Sequence, residues 1–452
     1  MALLRHSLPR LVSLKNSAMK RNRVLLLILI TLMLGDFIAR GVIPAFAFDK
    51  NDFSDPFCAS WLWRHGENPY DVALATGVNT NLVHSHIIIV PVYPPTTYLL
   101  MSPFSMLPWK WANFIFSILS FVGVLATVFL LLRIAGFTTK EDSAWFLAAV
   151  VCTFAPFHTG LHVANLAIIT TALCLFAIYL ADKQHDIPSG IVLAITACLK
   201  PQVGIWILIF YVVRRRWMVV IPAMLGGFLL AGMAVVRIPL SPAALILNYK
   251  TNLHYWFGPG GANDFTAANL WRFELVNAQV VLHSLVHSIP AANALAWGLF
   301  AIGFVIWLSV VLRSRNCPEP LALASLLALG FLPVYHRAYD TAILTLALCW
   351  ALRPLAKLNL ASKVILISLL PLVFPGESLF MRTMPHLPAW VIASWWWDSG
   401  LAAHAVWAVL LLNVALLYAL VLSSSEAKEK SQSDIAHITP FNCNPDVHMV
   451  EA

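Results

Sequence analysis

Four sets of side chains in this sequence have the types and surroundings for chemistry. Asp52 follows a long apolar run and stands just ahead of Phe53-Ser54-Asp55-Pro56. A carboxylate where a helix leaves a bilayer is partly desolvated, a setting in which it can serve as a general base; the plainer reading is a solvated loop acid or a capping residue. Lys200 lies between two apolar runs, with Pro201 behind it. A cation at membrane depth is expensive, so it marks a site unless its long stem snorkels to the surface. His336-Arg337-Ala338-Tyr339-Asp340 follows another apolar run. Arginine forks onto phosphate oxygens; without a phosphate the cluster reads as an interfacial ion pair. Finally, His158, His162 and Asn165 fall in one turn between apolar runs. Two histidines four apart can bind zinc on a helix. Here Gly160 interrupts the helix and no third acid or Cys follows at matching spacing, so the expectation is polar lining and no metal.

The elements that must hold these residues follow from composition. Of 452 residues, 60% are hydrophobic and 11% charged, and the mean hydropathy is +0.78. Soluble domains are about half apolar and about a quarter charged, so a water-soluble globule is excluded. Gly 20, Pro 27 and Cys 7 exclude collagen-like, disordered and disulfide-scaffold classes. What remains is an all-helical polytopic membrane protein. The net charge of +8 does not point to nucleic acid, because the basic residues sit in short clusters between apolar runs, the pattern that sets topology. No two cysteines are spaced CxxC, and most lie in apolar runs as small core residues.

Residues 1–23 carry six Lys and Arg and precede an apolar run at roughly 24–46. That run is too long for a signal peptide and predicts a first span with a cytoplasmic N-terminus. Its Asp36 and Arg40, four apart, are expected to pair. Further runs at roughly 110–133, 143–157, 162–181, 187–199, 202–213, 217–237, 291–313, 318–335, 340–353, 361–375 and 400–422 predict about twelve spans within a 24–422 membrane domain. Alternation places Arg133 and Lys140, Lys183, Arg214–Arg216, Arg313 and Arg315, and Arg353, Lys357 and Lys363 in the cytoplasm. The polar tail, 423–452, is expected to be cytoplasmic and unstructured. Outer insertions are predicted at about 47–109, 238–290 and 376–399. In the first, Asp55 as N-cap, Pro56 at the first helical position and Gly66 just past the end predict a short helix with Phe57 and Trp61 on one face. In the second, Tyr255, Trp256 and glycines 258, 260 and 261 form an aromatic, flexible stretch suited to an acceptor sugar, and Asn263-Asp264-Phe265 echoes Asn51-Asp52-Phe53 by coincidence.

Taken in order, Asp52-Phe53, Ala59, Gly66, Pro69-Tyr70-Asp71, Tyr93-Pro94-Pro95, Pro103 with Leu107-Pro108, Gly160-Leu161-His162-Val163-Ala164-Asn165, Leu199-Lys200-Pro201 ahead of Arg214–Arg216, and Tyr335-His336-Arg337-Ala338-Tyr339-Asp340 resemble the motifs of glycosyltransferase family 87 over roughly residues 25–350. The resemblance implies the C-type glycosyltransferase fold in the bacterial cytoplasmic membrane, with the active site on the outer face. It implies a hexosyltransferase, mannosyltransferase-like, that takes its sugar from a polyprenyl phosphate and gives it to a lipid-linked or glycan acceptor. Asp52 matches the family's catalytic aspartate. Lys200, His336 and Arg337 are then expected at the donor phosphate, and Tyr93, His162, Asn165, Tyr339 and Asp340 at the sugar or acceptor. Two positions depart from the family pattern: Pro56, where an aromatic is common, and Leu161-His162, where Gly-Gln is commoner. The first loop has no Asp-x-Asp or Glu-x-Asp pair, which favours a monophosphate donor and metal-free chemistry. There is no Walker or dinucleotide pattern, and no cofactor is expected. The competing expectation, a transporter or flippase of lipid-linked sugars, calls for internal repeats and charges at the midplane; the sequence has no half-to-half repeat.

Overall fold

The structure, a computed structural model, describes residues 27–46, 52–314, 317–353, 359–373, 383–392 and 394–436. The basic N-terminus, Asp49, Arg315, Lys357 and the end of the tail lie outside the described residues. Among those described there is no strand, only one isolated β-bridge, between Leu275 and Arg337. In chain order, α1 (Leu27–Ala45) leads into the first insertion, which holds α2 (Ser54–His65) and two shorter helices, Val72–Val78 and Pro95–Met101. Then come α3 (Trp109–Ala135) and a pair bent by 44°, α4 (Asp142–Thr153) and α5 (Ala155–His162). Next are α6 (Ala167–Asp182), α7 (Asp186–Leu199), α8 (Pro201–Val213) and α9 (Trp217–Val236). The second insertion contains α10 (Pro242–Phe257). The chain continues with α11 (Ile289–Arg313), α12 (Glu319–Gly330), α13 (Ala338–Ala351, a 3-10 helix for its first ten residues) and α14 (His404–Ala436).

The runs read from hydropathy fall into two classes. Five helices are long and apolar enough to cross a bilayer: α1, α3, α9, α11 and α14 up to Ser424. The bent α4–α5 pair makes a sixth. Most of the other runs are helices of 10–17 residues. At 1.5 Å per residue such helices fall short of the ~30 Å hydrocarbon core. Proline sets the breaks: α5, α8 and α12 each carry one at the first or second helical position. There its missing N–H is harmless, whereas in mid-helix it would break the ladder.

The two classes differ in surroundings. The long helices α9 and α11 expose Leu225, Phe228, Val236, Ile302 and Val305, a face suited to lipid. Short α12 is buried in protein on every side from Leu321 to Gly330. α13 packs against α5, α6 and α12. The interior is therefore built of short, broken helices joined by polar turns.

Local expectations are mostly met. Arg40 pairs with Asp36 at 3.4 Å. Gly66 ends α2 in the left-handed region at φ 73°. The start of α2 is corrected: the helix begins at Ser54, so Asp55 lies in its first turn and is not the cap. At the other end of the chain, α14 carries the helix to Ala436, into the stretch expected to be unstructured.

Candidate active site

Three turns between short helices converge on the start of the first insertion. The α5–α6 turn brings Asn165. Between α7 and α8 a single residue, Lys200, both ends one helix and starts the next. These two helices touch backbone to backbone: a Cβ on Gly204 would sit 2.8 Å from the Cα of Ala197. A hairpin this tight leaves the last carbonyls of α7 without helical partners, and in a dry interior they need others. Thr96 accordingly donates to the Cys198 oxygen at 2.8 Å, and Thr97 to those of Cys198 and Leu199 at 3.0 and 3.2 Å. The Tyr93-Pro94-Pro95 corner thus delivers two threonines that fix Lys200. The third turn, between α12 and α13, carries His336 and Arg337, and the first turn of α13 adds Tyr339 and Asp340. A strip of the second insertion clasps it: Val276 N–H donates to the His336 oxygen at 3.0 Å, and the Gln279 amide to that of Pro333 at 2.8 Å.

The side chains form one connected path. Asp52, half-buried, accepts from Asn165 Nδ2 at 2.8 Å, and its backbone N–H donates to the Val163 oxygen at 2.5 Å. Lys200 Nζ donates to Asn165 Oδ1 at 3.1 Å and to Asp340 Oδ1. It also lies 4.7 Å from the centre of the Tyr339 ring. The second Asp340 oxygen accepts from Arg337 N–H at 3.2 Å and stands 3.4 Å from His336 Nδ1. His336 is fully buried and stacks on Phe331. Lys200 and Asp340 are 4% and 2% exposed. A buried ion pair barely recovers its desolvation cost, so stability alone does not account for it.

Arg337 makes a second ion pair alongside. Its Nη1 lies 2.9 Å from Glu274 Oε2, its Nε donates to the Tyr335 hydroxyl at 3.1 Å, and its Nη2 donates to the Ala262 oxygen at 3.2 Å. Burial raises the Glu274 carboxyl above the usual carboxylate range, against the pull of Arg337. Burial, followed by the charges of Asp52 and Asp55, pushes the Tyr93 phenol up, so it stays a hydrogen-bond donor facing the acids. Asp55 is also raised well above its ordinary value, by burial first and the Asp52 charge second.

A comparison of the sequence with known families decides what this arrangement belongs to. The model of glycosyltransferase family 87 matches residues 92–335, more than half of the chain. The chain belongs to glycosyltransferase family 87. No curated protein matches it. As a family 87 enzyme with several apolar spans, it is a membrane glycosyltransferase. The matched stretch contains Tyr93, Asn165 and Lys200. Asp52 precedes it and His336–Asp340 follow it, and the fold joins all three parts.

Not every expected residue joins. His162 is exposed at the end of α5, and among the described residues no hydrogen bond ties it to the path. His158 turns the other way, 3.7 Å from Asp36 and 2.5 Å from the Cys152 oxygen, so the two histidines do not share a site. Among the described residues no group of three His, Cys, Asp or Glu is placed to hold a metal. Sequence reasoning missed Glu274 and the threonine caps. Glu274 is one of only two acids in the second insertion, and Thr96-Thr97 follows directly on the two prolines; those were the available signals.

Proposed function

We propose that this family 87 glycosyltransferase moves a hexose, mannose by family resemblance, from a polyprenyl-phosphate sugar to a lipid-linked or glycan acceptor at the outer face of the bacterial cytoplasmic membrane. In this reading the chain has the C-type fold with about twelve membrane-embedded helices, the short ones included. Asp52 is the general base. One of its oxygens is held by Asn165, and the other takes the proton of the acceptor hydroxyl. The hydroxyl oxygen bonds to the anomeric carbon as the bond from that carbon to the donor phosphate breaks. This direct displacement inverts the anomeric configuration. The departing phosphate is met by Arg337, His336 and Lys200, with Lys200 already partly neutralised by Asp340. Tyr93 and Tyr339 flank the sugar, and His162 is left as an exposed ligand for the acceptor.

The observation that carries this reading is the path from Asp52 through Asn165 to a buried lysine, at the tips of broken helices. The side assignment draws on charge: Lys183 and Arg214–Arg216 lie at the base of the α7–α8 hairpin and Lys200 at its tip, and the preference of basic clusters for the cytoplasm supports an outward tip. A lipid-borne donor carries its phosphate at the membrane surface, within reach of such tips. The test offers radiolabelled polyprenyl-phosphate mannose to membranes holding wild type or Asp52→Asn. Loss of about 100-fold or more of label transfer is expected. Equal transfer by both removes Asp52 as the base, and transfer from a nucleotide sugar alone removes the donor class.

A further inference from the structure

We infer that Asn165 is the positioning residue for Asp52: its amide holds one carboxylate oxygen so that the other faces the acceptor. This rests on the reading of Asp52 as base, and goes beyond the sugar or acceptor contact expected of Asn165. The orientation of the amide is dictated by its neighbours. Its oxygen accepts from Lys200 Nζ at 3.1 Å and from the Ala167 backbone N–H at 2.9 Å, two groups that can only donate. A flipped amide would set its NH2 against both donors and its oxygen against the Asp52 carboxylate. The NH2 end therefore points at Asp52, 2.8 Å away. Both lone pairs of the amide oxygen are occupied, and Asn165 is 1% exposed, so water does not compete for these partners.

The backbone is held with equal care. Asn165 N–H donates to the Gly160 oxygen at 2.9 Å, and the residue before it, Ala164, has φ 51°, a left-handed conformation that residues with a Cβ rarely adopt. Asp52 N–H is bound to the Val163 oxygen of the same turn. One turn thus grips the base at both its main chain and its side chain. Lys200, tied to Asp340, acts on Asp52 through the amide it orients. Around Asp52 the other charged or titratable groups include Asp55 on α2, Tyr93, Glu274, Tyr335, Arg337 and Tyr339, and Asn165 holds the carboxylate as a neutral donor among them.

The test uses the full chain in membranes, with polyprenyl-phosphate mannose as donor and membrane acceptors, measured against donor concentration and pH. Asn165→Ala is expected to lower the maximal rate about 10- to 100-fold, with donor KM within about two-fold of wild type. Asn165→Asp keeps the shape and sets a second carboxylate against Asp52; the acidic limb of its rate–pH profile is expected about one unit higher. Should Asn165→Ala fail to accumulate, the isosteric variant carries the test alone. A wild-type rate and profile in Asn165→Asp, or a loss in Asn165→Ala expressed wholly in donor KM, overturns the inference and leaves the base reading in place. Wild-type transfer by Asp52→Asn overturns that reading itself.

Discussion

The two ends of the α7–α8 hairpin carry the same chemistry in opposite settings. At the tip, Lys200 faces Asp340 with side-chain exposures of 5% and 1%. At the base, Arg216 faces Asp186 at 18% and 23%. Glu319 stands near the base pair, accepting from the Tyr211 hydroxyl at 3.3 Å. The base is half-buried, so water screens it in part and the pair contributes about 1 kcal/mol. The tip has no such relief. There each charge is tolerable only while the other is present, and the pair is also wired to Asn165 and Asp52. The contrast separates charges that decorate a helix end from charges that the fold is built to keep.

The sharpest way to break this contrast is Asp340→Asn. It strands the Lys200 ammonium, and a loss of about 3–5 kcal/mol in stability is expected, read as a lower melting temperature in detergent. Lys200→Met combined with Asp340→Leu should recover most of that loss without restoring sugar transfer. A single variant as stable as wild type would show that the tip is solvated after all. Next in size is Arg337→Ala, which leaves Glu274 half-buried without its cation and removes the proposed phosphate partner. Donor KM is expected to rise about ten-fold, a loss of about 1.4 kcal/mol, in label-transfer assays. Unchanged donor kinetics would remove Arg337 from the site.

Asp55 tests the rule for a half-buried acid that has no ion-pair partner among the described residues. Its folded-state value is raised, above about 3.9 in the unfolded chain. The folded protein therefore holds that proton more tightly, and this group's contribution to stability is fully present below about 3.9 and is lost as pH rises from there through the raised value. Asp55→Asn should flatten that fall in melting scans across pH; an unaltered pH dependence would count against the burial argument. The smallest effect belongs to the base: Asp186→Asn should change stability by about 0–1 kcal/mol and leave transfer unchanged. A large loss there would erase the distinction between the two ends.

How much of this was legible in the sequence depended on whether the decisive partner was local. The Asp36–Arg40 pair and the Gly66 helix end are set within a few residues, and both were readable. Hydropathy located the apolar runs but treated α9 and α12 alike, although lipid suits one and protein encloses the other. It reports that a segment avoids water, not what takes the water's place. The motif residues could be picked out, but not their mutual roles. Lys200 read as a free cation for phosphate because Asp340, 140 positions later, is its neighbour only in the fold. Glu274 was passed over for the same reason: its role depends on Arg337, which is beside it only in the fold.

The threonine caps have a consequence for biosynthesis. The carbonyls of Cys198 and Leu199 are satisfied by hydroxyls about a hundred residues upstream. By the time the hairpin leaves the ribosome, that earlier corner has already been made. The hairpin thus enters the bilayer with its receptor waiting, and a chain assembled in the reverse order would have to shelter bare peptide groups in lipid until the corner arrived.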